Sequence, residues 1–275
     1  MAAGPEASHY SGMLQYEIHA IRYATRDARR ADHFIGGDPH DGPMPMDYFL
    51  WAIVGHGRTV VVDCGFDAEV AARRGRRLLR HPAESLRLVG IEPATVPELV
   101  LTHLHYDHVG NLGSFPAARF HLQEPDLHFA VGRHMRHAHL RAPFEVEDVV
   151  GLVRLNYAGR VALHAGVVEL HPGITLHPAP GHSPGLQFVR VETARGAVVL
   201  ASDVSHYYEN IEADRPFVIA VDVPAMLESF ERVRAAAASA AHIIPGHDPL
   251  VMKRYPASSP ELSGIAVRLD LPPTG

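Results

Sequence analysis

The chain contains very little cysteine and no long hydrophobic run, and each shortage excludes a class of protein. One cysteine, Cys64, cannot form an internal disulfide, and such a chain suits a reducing cytoplasm. The longest apolar run, residues 49–54, is much shorter than the about 18 residues that a membrane-spanning helix needs. Residues 1–13 lack the apolar core of a secretory signal. We therefore expect a cytoplasmic protein without a membrane partner.

Positive charge is also scarce. Lysine and arginine number 25 against 31 aspartates and glutamates, and only Lys253 is a lysine, so the formal net charge is −6. This balance gives no electrostatic reason to bind nucleic acid. Hydrophobic residues at 47% and charged residues at 20% are typical of a globular chain. We predict a small-molecule partner and leave the oligomeric state open, with a homodimer as one option.

Short β-rich segments bounded by glycine or proline alternate with helical patterns along the 275 residues. The predicted strands are 14–25, 48–54, 59–62, 98–101, 167–170, 174–177, 186–191, 197–201 and 242–245, and the predicted helices are 67–80 and 223–241. No linker divides the chain, so we predict a single domain, residues 1–275, with a helical insert at about 125–157. Strands followed by a helix in each half favour two facing sheets with helices outside, a four-layer α/β arrangement.

The predicted helix 67–80 carries its own signals at both ends. Asp67 is a suitable N-cap. Arginines crowd the C-terminal end, where the helix dipole favours positive charge. We expect these arginines to form a solvent-exposed face: Arg73, Arg74, Arg76, Arg77 and Arg80.

Histidine is abundant, with 21 residues, and it is the commonest metal ligand. The strongest chemical signal is the segment 101–111, which contains His103, His105, Asp107 and His108. Alternate side chains of an extended segment point the same way, so His103 and His105 can bind one ion together. Burying three imidazoles and a carboxylate without a partner would cost several kcal/mol, roughly. The segment therefore predicts a metal site.

Three downstream residues next to glycine or serine, at predicted strand ends, complete the set: His182, Asp203 and His247. Seven ligands suit two ions. We predict that one is held by His103, His105 and His182, the other by Asp107, His108 and His247, and that Asp203 bridges them. Imidazole with carboxylate suits Zn²⁺, although ligand type alone leaves iron and manganese open.

These residues and their spacing resemble the metallo-β-lactamase superfamily. The amino-acid sequence of segment 101–111 is similar to that of the N-acyl-homoserine lactonase branch. The likeness to the superfamily extends from about residue 14 to about residue 253. The resemblance implies an αββα sandwich, the metallo-β-lactamase fold, with a dinuclear site along one edge. It also implies a hydrolase that opens a lactone ring with metal-bound hydroxide, with N-acyl-homoserine lactone as one candidate substrate and quorum quenching as the associated role.

The chain departs from that branch at one site position. Lactonases of this kind usually have a tyrosine three residues after the bridging aspartate, where it contacts the substrate carbonyl, and this chain has His206. Either His206 performs that role, or Tyr207 does, or the preferred ester is not a homoserine lactone. Asp107 is our candidate to carry a proton to the leaving group. Residues 34–51, with Met44, Met46, Tyr48 and Phe49, are candidates for the substrate wall or for the core.

Two alternatives stay open at this point. The first is hydrolysis of another ester, a thioester or a cyclic amide by the same centre. The second is a non-catalytic binding module that retains metal for structure. A structural zinc site is normally closed by four ligands, whereas seven candidates would leave positions open for substrate, which favours an enzyme.

Overall fold

The computed structural model describes residues 14–274, and its elements are numbered here in chain order. The strands are β1 (Glu17–Arg26), β2 (Met46–Gly55), β3 (Arg58–Val62), β4 (Arg77–Leu78), β5 (Glu98–Val100), β6 (Arg119–Gln123), β7 (Val161–His164), β8 (Val168–His171), β9 (Ile174–Pro178), β10 (Gln187–Thr193), β11 (Gly196–Ser202), β12 (Ile243–Pro245) and β13 (Ala266–Arg268).

The helices are α1 (Ala68–Arg74), α2 (Pro82–Leu88), α3 (Tyr106–Val109), α4 (Glu124–Ala130), α5 (Ala138–Arg141), α6 (Val146–Tyr157), α7 (Tyr208–Glu212), α8 (Val223–Ala236) and α9 (Val251–Arg254). Short 3-10 turns occur at Arg30–Asp32, Pro93–Thr95, Leu112–Ser114, Arg133–Arg136, Ala240–His242 and Pro260–Leu262. Within residues 14–274, no helix combines the length and the apolar character needed to cross a bilayer.

The strands form two sheets. The first has the order β13-β1-β2-β3-β5-β6-β7, and β4 pairs with the end of β1. The second has the order β12-β11-β10-β9-β8. Strand β5 lies parallel to β3, and β12 lies parallel to β11, so the carboxyl ends of the paired strands meet at one edge of each sheet.

The buried apolar side chains form three layers, and successive residues of a strand contribute to different layers. In β11, Val198 and Leu200 face the layer between the two sheets, whereas Val199 and Ala201 face α8. In β3, Val61 points to the outer helices of the first sheet. Since neighbouring side chains of a strand point to opposite faces, each sheet is covered on both sides. The predicted four-layer αββα sandwich is confirmed.

Two predicted helices are too long. Helix α1 begins after Asp67, whose side chain caps Val70 N as expected, but it ends at Arg74 because Gly75 adopts a left-handed φ of 64°. Arg77 and Leu78 then pair with β1 as β4, so the predicted helix 67–80 is wrong beyond Arg74.

The predicted helix 223–241 ends at Ala236. Ala237 is extended, and Ala238 N donates instead to Ala197 O at the start of β11. Helix propensity favours continuation through this alanine-rich run, and a tertiary hydrogen bond overrides it.

Segment 125–157 is largely helical, as its pattern indicates. It contains most of α4, a 3-10 turn, α5 and α6. Val149 and Leu152 of α6 pack into the layer outside the first sheet. Phe129 and Leu140 instead line a cavity at the sheet edge, which ties this segment to the site described next.

Candidate metal centre

The predicted ligands come together where strands of both sheets end. His103 and His105 follow β5, and Asp107 and His108 lie in α3 immediately after them. From the second sheet come His182 between β9 and β10, Asp203 after β11 and His247 after β12. All seven side chains are buried.

One ligand group consists of His103, His105 and His182. Their ligand atoms lie within 4.8 Å of one another. His182 Nε2 is 2.9 Å from His105 Nδ1, close enough for both nitrogens to face one small ion. The structure thus brings together the three residues predicted for the first ion.

The other group consists of Asp107, His108 and His247, whose ligand atoms also lie within 4.8 Å of one another. Asp107 Oδ1 is 3.7 Å from His108 Nε2, and Asp107 Oδ2 is 3.8 Å from His247 Nε2. This is the predicted set for the second ion.

Asp203 lies between the two groups and turns one oxygen to each. Its Oδ2 is 3.2 Å from His182 Nε2 and 3.8 Å from His103 Nε2. Its Oδ1 is 3.3 Å from His108 Nε2 and 3.0 Å from His247 Nε2. A carboxylate placed in this way can bridge two ions.

The donor set fits divalent metal. Among the described residues, the buried Nε2 atoms of His103 and His108 have no hydrogen-bond partner, a costly arrangement unless another atom binds them. Burial lowers the pKa of His103 and His105 well below the ordinary value, which keeps these two imidazoles neutral, as metal ligation requires. Burial opposes the charged form of His108 and His247 as well, but the charges of Asp203 and other nearby carboxylates outweigh it and raise the pKa of both imidazoles. Neutral imidazole with carboxylate is a set that binds zinc and other transition metals.

Several ligands are oriented by the ring nitrogen that faces away from the centre. His182 Nδ1 is 2.8 Å from Ile219 O, and His247 Nδ1 is 2.9 Å from Asp47 O. A backbone carbonyl can only accept, so each Nδ1 carries the hydrogen and each Nε2 offers its lone pair to the centre.

Asp63 orients His108 and was missed from the sequence. Its Oδ2 accepts from His108 Nδ1 at 2.7 Å and from Thr102 Oγ1 at 2.8 Å, while Oδ1 accepts from Thr102 N at 2.7 Å. Asp63 is fully buried and adopts a left-handed φ of 62°. A buried carboxylate in a strained backbone at the end of β3 is the kind of residue that supports a site.

Asp126, at the start of α4, was also missed. It accepts from Leu104 N at 2.7 Å and from Gly185 N at 3.2 Å. Leu104 stands between two ligands of the first sheet, and Gly185 follows the loop of His182. One buried carboxylate therefore fixes both ligand-bearing loops relative to each other.

The two candidates for carbonyl contact lie in different places. His206 lines the cavity, with Nε2 3.0 Å from Asp203 Oδ2 and its ring stacked on Phe217. Burial lowers the pKa of His206 to about 3, so the ring is neutral. The Tyr207 hydroxyl instead lies 3.0 Å from His33 Nε2 and donates to Pro45 O at 3.1 Å, away from the centre.

A cavity of about 240 Å³ opens over the centre. Met46 and Tyr48 line it, whereas Phe49 lies in the core between the sheets and Met44 packs outside the cavity. One wall is apolar, formed by Phe129, Leu140, Pro143, Phe144, Phe217, Ile219 and Val221. Another carries the arginines Arg26, Arg74 and Arg76, so the predicted solvent-exposed arginine face is wrong for two of its members, Arg74 and Arg76.

Two facing sheets with a histidine- and aspartate-rich centre at one edge define an αββα protein whose centre could hold metal. A family model described as the metallo-beta-lactamase superfamily matches residues 47–259. The chain belongs to the metallo-β-lactamase superfamily, as its motifs indicate.

Several relatives within the superfamily are named as lactonases. N-acyl homoserine lactonase AiiA of Bacillus thuringiensis subsp. kurstaki is 33% identical over 165 residues, which are 59% of this chain and 60% of the relative. The chain thus spans about 60% of the length of that relative. The human metallo-beta-lactamase domain-containing protein 1 is 30% identical over 178 residues, 64% of this chain and 56% of the relative. The predicted likeness to the lactonase branch is confirmed.

Solved structures agree on the fold. An N-acyl homoserine lactone hydrolase with the product N-hexanoyl-L-homoserine at its catalytic metal centre superimposes with a TM-score of 0.71 at 22% identity, covering 88% of this chain and 96% of that one. AidC, a dizinc quorum-quenching lactonase, gives a TM-score of 0.66 at 16% identity, covering 86% and 89%.

Proposed function

We propose that this chain is a dinuclear metal-dependent hydrolase that opens a lactone ring, with N-acyl homoserine lactone as a candidate substrate. The observation that carries the proposal is the position of Asp203, whose two oxygens face two separate groups of ligands. The names of the sequence relatives support the choice of a lactone. The single buried Cys64 suits the proposed cytoplasmic location.

Seven ligands would hold the two ions, for which Zn²⁺ is the best match: His103, His105, Asp107, His108, His182, Asp203 and His247. When bound, a pair of divalent ions supplies an ionised water at neutral pH and an electrophile for a carbonyl. In hydrolysis, the water oxygen forms a bond to the acyl carbon, the ring C–O bond breaks, and the product is a hydroxy acid.

The remaining work is assigned to the chain's own residues. Asp107 lines the cavity next to His108 and His247, so its carboxylate can carry the proton from the attacking water to the leaving alkoxide oxygen. His206 also lines the cavity, and the hydrogen on its Nε2, which Asp203 Oδ2 accepts in this structure, would be shared with the carbonyl oxygen as charge develops there. The apolar wall can hold the acyl chain and keep bulk water away from the ester.

Metal content and a substrate panel test this function. We expect close to two divalent ions per chain, and we expect His105→Ala and Asp203→Asn to lose metal and activity together. His128→Ala, on the exposed side of α4, is the matched control and should keep both. Proton release would be followed with lactones, thioesters, cyclic amides including β-lactams, and phosphodiesters.

The outcomes of the panel separate the alternatives. Faster ring opening of lactones than of any other class supports the proposal. A preference for thioesters or cyclic amides would keep the dinuclear hydrolase and change its substrate. Two bound ions with no turnover of any compound would indicate a metal-stabilised binding module, and a single ion with a silent Asp203→Asn variant would refute the dinuclear centre.

A further inference from the structure

Two arginines, Arg26 and Arg76, line the cavity over the candidate metal centre. Thr25 of β1 is opposite Arg77 of β4, and Ala24 is opposite Leu78. Arg26 follows Thr25 and Arg76 precedes Arg77, so the two arginines lie near each other just beyond the last pair of this ladder. Both side chains are half-buried and line the same cavity as the candidate metal centre.

Other arginines nearby are paired with carboxylates. Arg74, on the same wall, contacts Glu145 at 2.7 Å, and Arg22 of β1 contacts Asp47 at 3.1 Å. Within residues 14–274, by contrast, neither Arg26 nor Arg76 forms a salt bridge. The two acids that share the cavity, Asp107 and Asp203, are directed at the histidines of the centre.

Hydrogen bonding leaves donors of both guanidinium groups available. Arg76 Nε donates to Tyr106 Oη at 2.9 Å and its Nη1 donates to Arg74 O at 2.7 Å, which fixes the group on the wall. Its Nη2 has no acceptor among the described residues, and the Arg26 side chain has none there either. Like charges held near each other repel, and within residues 14–274 no carboxylate pairs with either of these two arginines to offset that repulsion.

We propose that Arg26 and Arg76 bind a carboxylate of the substrate. The inference rests on the proposed function and defines its substrate class as a lactone or open ester that carries a second, ionised carboxyl group. An N-acyl homoserine lactone has no such group, so within the proposed lactonase activity the arginine pair favours an anionic lactone over that candidate. The planar fork of a guanidinium suits a carboxylate, to which it can donate two parallel hydrogen bonds. The uncharged part of the molecule lies against the apolar wall, and the second carboxylate passes through hydrolysis unchanged.

Selectivity between two matched substrates tests the pair. The substrates are a γ-lactone with a side-chain carboxylate and the same lactone with a carboxamide there. For the wild-type chain we expect kcat/KM to be about 10- to 100-fold higher with the carboxylate, the range expected for charge-assisted hydrogen bonds. Arg26→Met and Arg76→Met should each lower that ratio at least several-fold, and Arg26→Lys should retain part of it.

Arg58→Met is the matched control, because Arg58 is exposed at the start of β3, outside the lining of the cavity, and should keep the wild-type ratio. Among the described residues, Tyr106 accepts its arginine hydrogen bond from Arg76 and none from Arg26, so the Arg26 variants separate the loss of charge from a displacement of Tyr106. Metal content and thermal unfolding show whether each variant is folded.

The possible results distinguish failure of the arginine assignment from failure of the proposed lactonase function. Equal turnover of the two lactones, or a ratio that survives in both methionine variants, would overturn the arginine assignment and leave a lactonase. If neither of these lactones nor any other lactone of the substrate panel is turned over, the proposed function fails. Calorimetric binding of the two matched compounds to the metal-loaded protein then decides the arginine pair. Tighter binding of the carboxylate that weakens in Arg26→Met supports the pair, and equal binding refutes it.

Discussion

Replacing Asp63 with asparagine separates the orienting role of this carboxylate from its contribution to folding. The change keeps the volume of the side chain but exchanges one acceptor oxygen for an NH₂ group. The carboxylate accepts three hydrogen bonds, from Thr102 N, Thr102 Oγ1 and His108 Nδ1, in a fully buried position. In the variant, one of these donors must face another donor.

The magnitude follows from those contacts. The variant loses a hydrogen bond to a charged group, and it places two buried donors against each other. Together these changes should lower the free energy of unfolding of the metal-free protein by about 2–3 kcal/mol. Loss of the carboxylate should also weaken metal binding by about 10- to 100-fold, because His108 loses the partner that holds its ring and raises its basicity.

Chelator competition measures the metal affinity, and urea unfolding of the metal-free protein measures the stability. Asp270→Asn is the control, because Asp270 is buried and accepts from Ile18 N and Arg268 but does not contact the centre. It should lose stability and keep the metal affinity. Unchanged metal affinity in Asp63→Asn, or an equal loss in Asp270→Asn, would refute the orienting role.

Three further predictions concern other parts of the molecule. His206→Ala should lower kcat about 100-fold with metal retained, which is the usual loss for one oxyanion donor, whereas Tyr207→Phe should leave kcat nearly unchanged. Steady-state kinetics with metal analysis measures both, and an unchanged kcat in His206→Ala beside a large loss in Tyr207→Phe would refute the assignment. Burial, together with the charges of Glu145 and Asp67, raises the pKa of Asp148 to about 7. The same carboxyl ionises near pH 4 in the unfolded chain, so the free energy of unfolding falls as pH rises from about 4 to about 7. Asp148→Asn should therefore stabilise the protein by about 1–2 kcal/mol above pH 7, after allowance for partial exposure, and the gain should disappear towards pH 4 in a urea series. Gly181→Ala should cost about 2–4 kcal/mol and displace His182, because φ is 138° and a Cβ would lie 2.4 Å from the Met226 backbone; a wild-type melting temperature would contradict this.

The ligands were predictable from sequence because each carries a local signal. His103, His105, Asp107 and His108 lie within one short segment, and their partners stand next to glycine or serine at strand ends. Asp63 has no neighbouring candidate ligand in the sequence that would mark it as part of the site. Its role depends on the parallel pairing of β3 with β5, which brings it beside Thr102, and that pairing joins residues far apart in the chain.

The fold was predictable where apolar periodicity was strong and less so where tertiary contacts decide. The short strands β4, β6, β7 and β13 were missed, since β4 has only two residues and follows a helix without a break in polarity. The arginine pair was missed for the same reason. Arg76 was assigned to a helix, and only the glycine turn at Gly75 places it next to Arg26.

The candidate ligands come from both sheets, so a bound metal would connect the two sheets as well as take part in a reaction. Any ion shared by Asp203 and His108 would tie β11 of one sheet to the chain that follows β5 of the other. Binding that favours the folded chain adds to its stability as metal concentration rises. Removal of the metal would then loosen the connection between the two sheets and lower the stability of the whole fold.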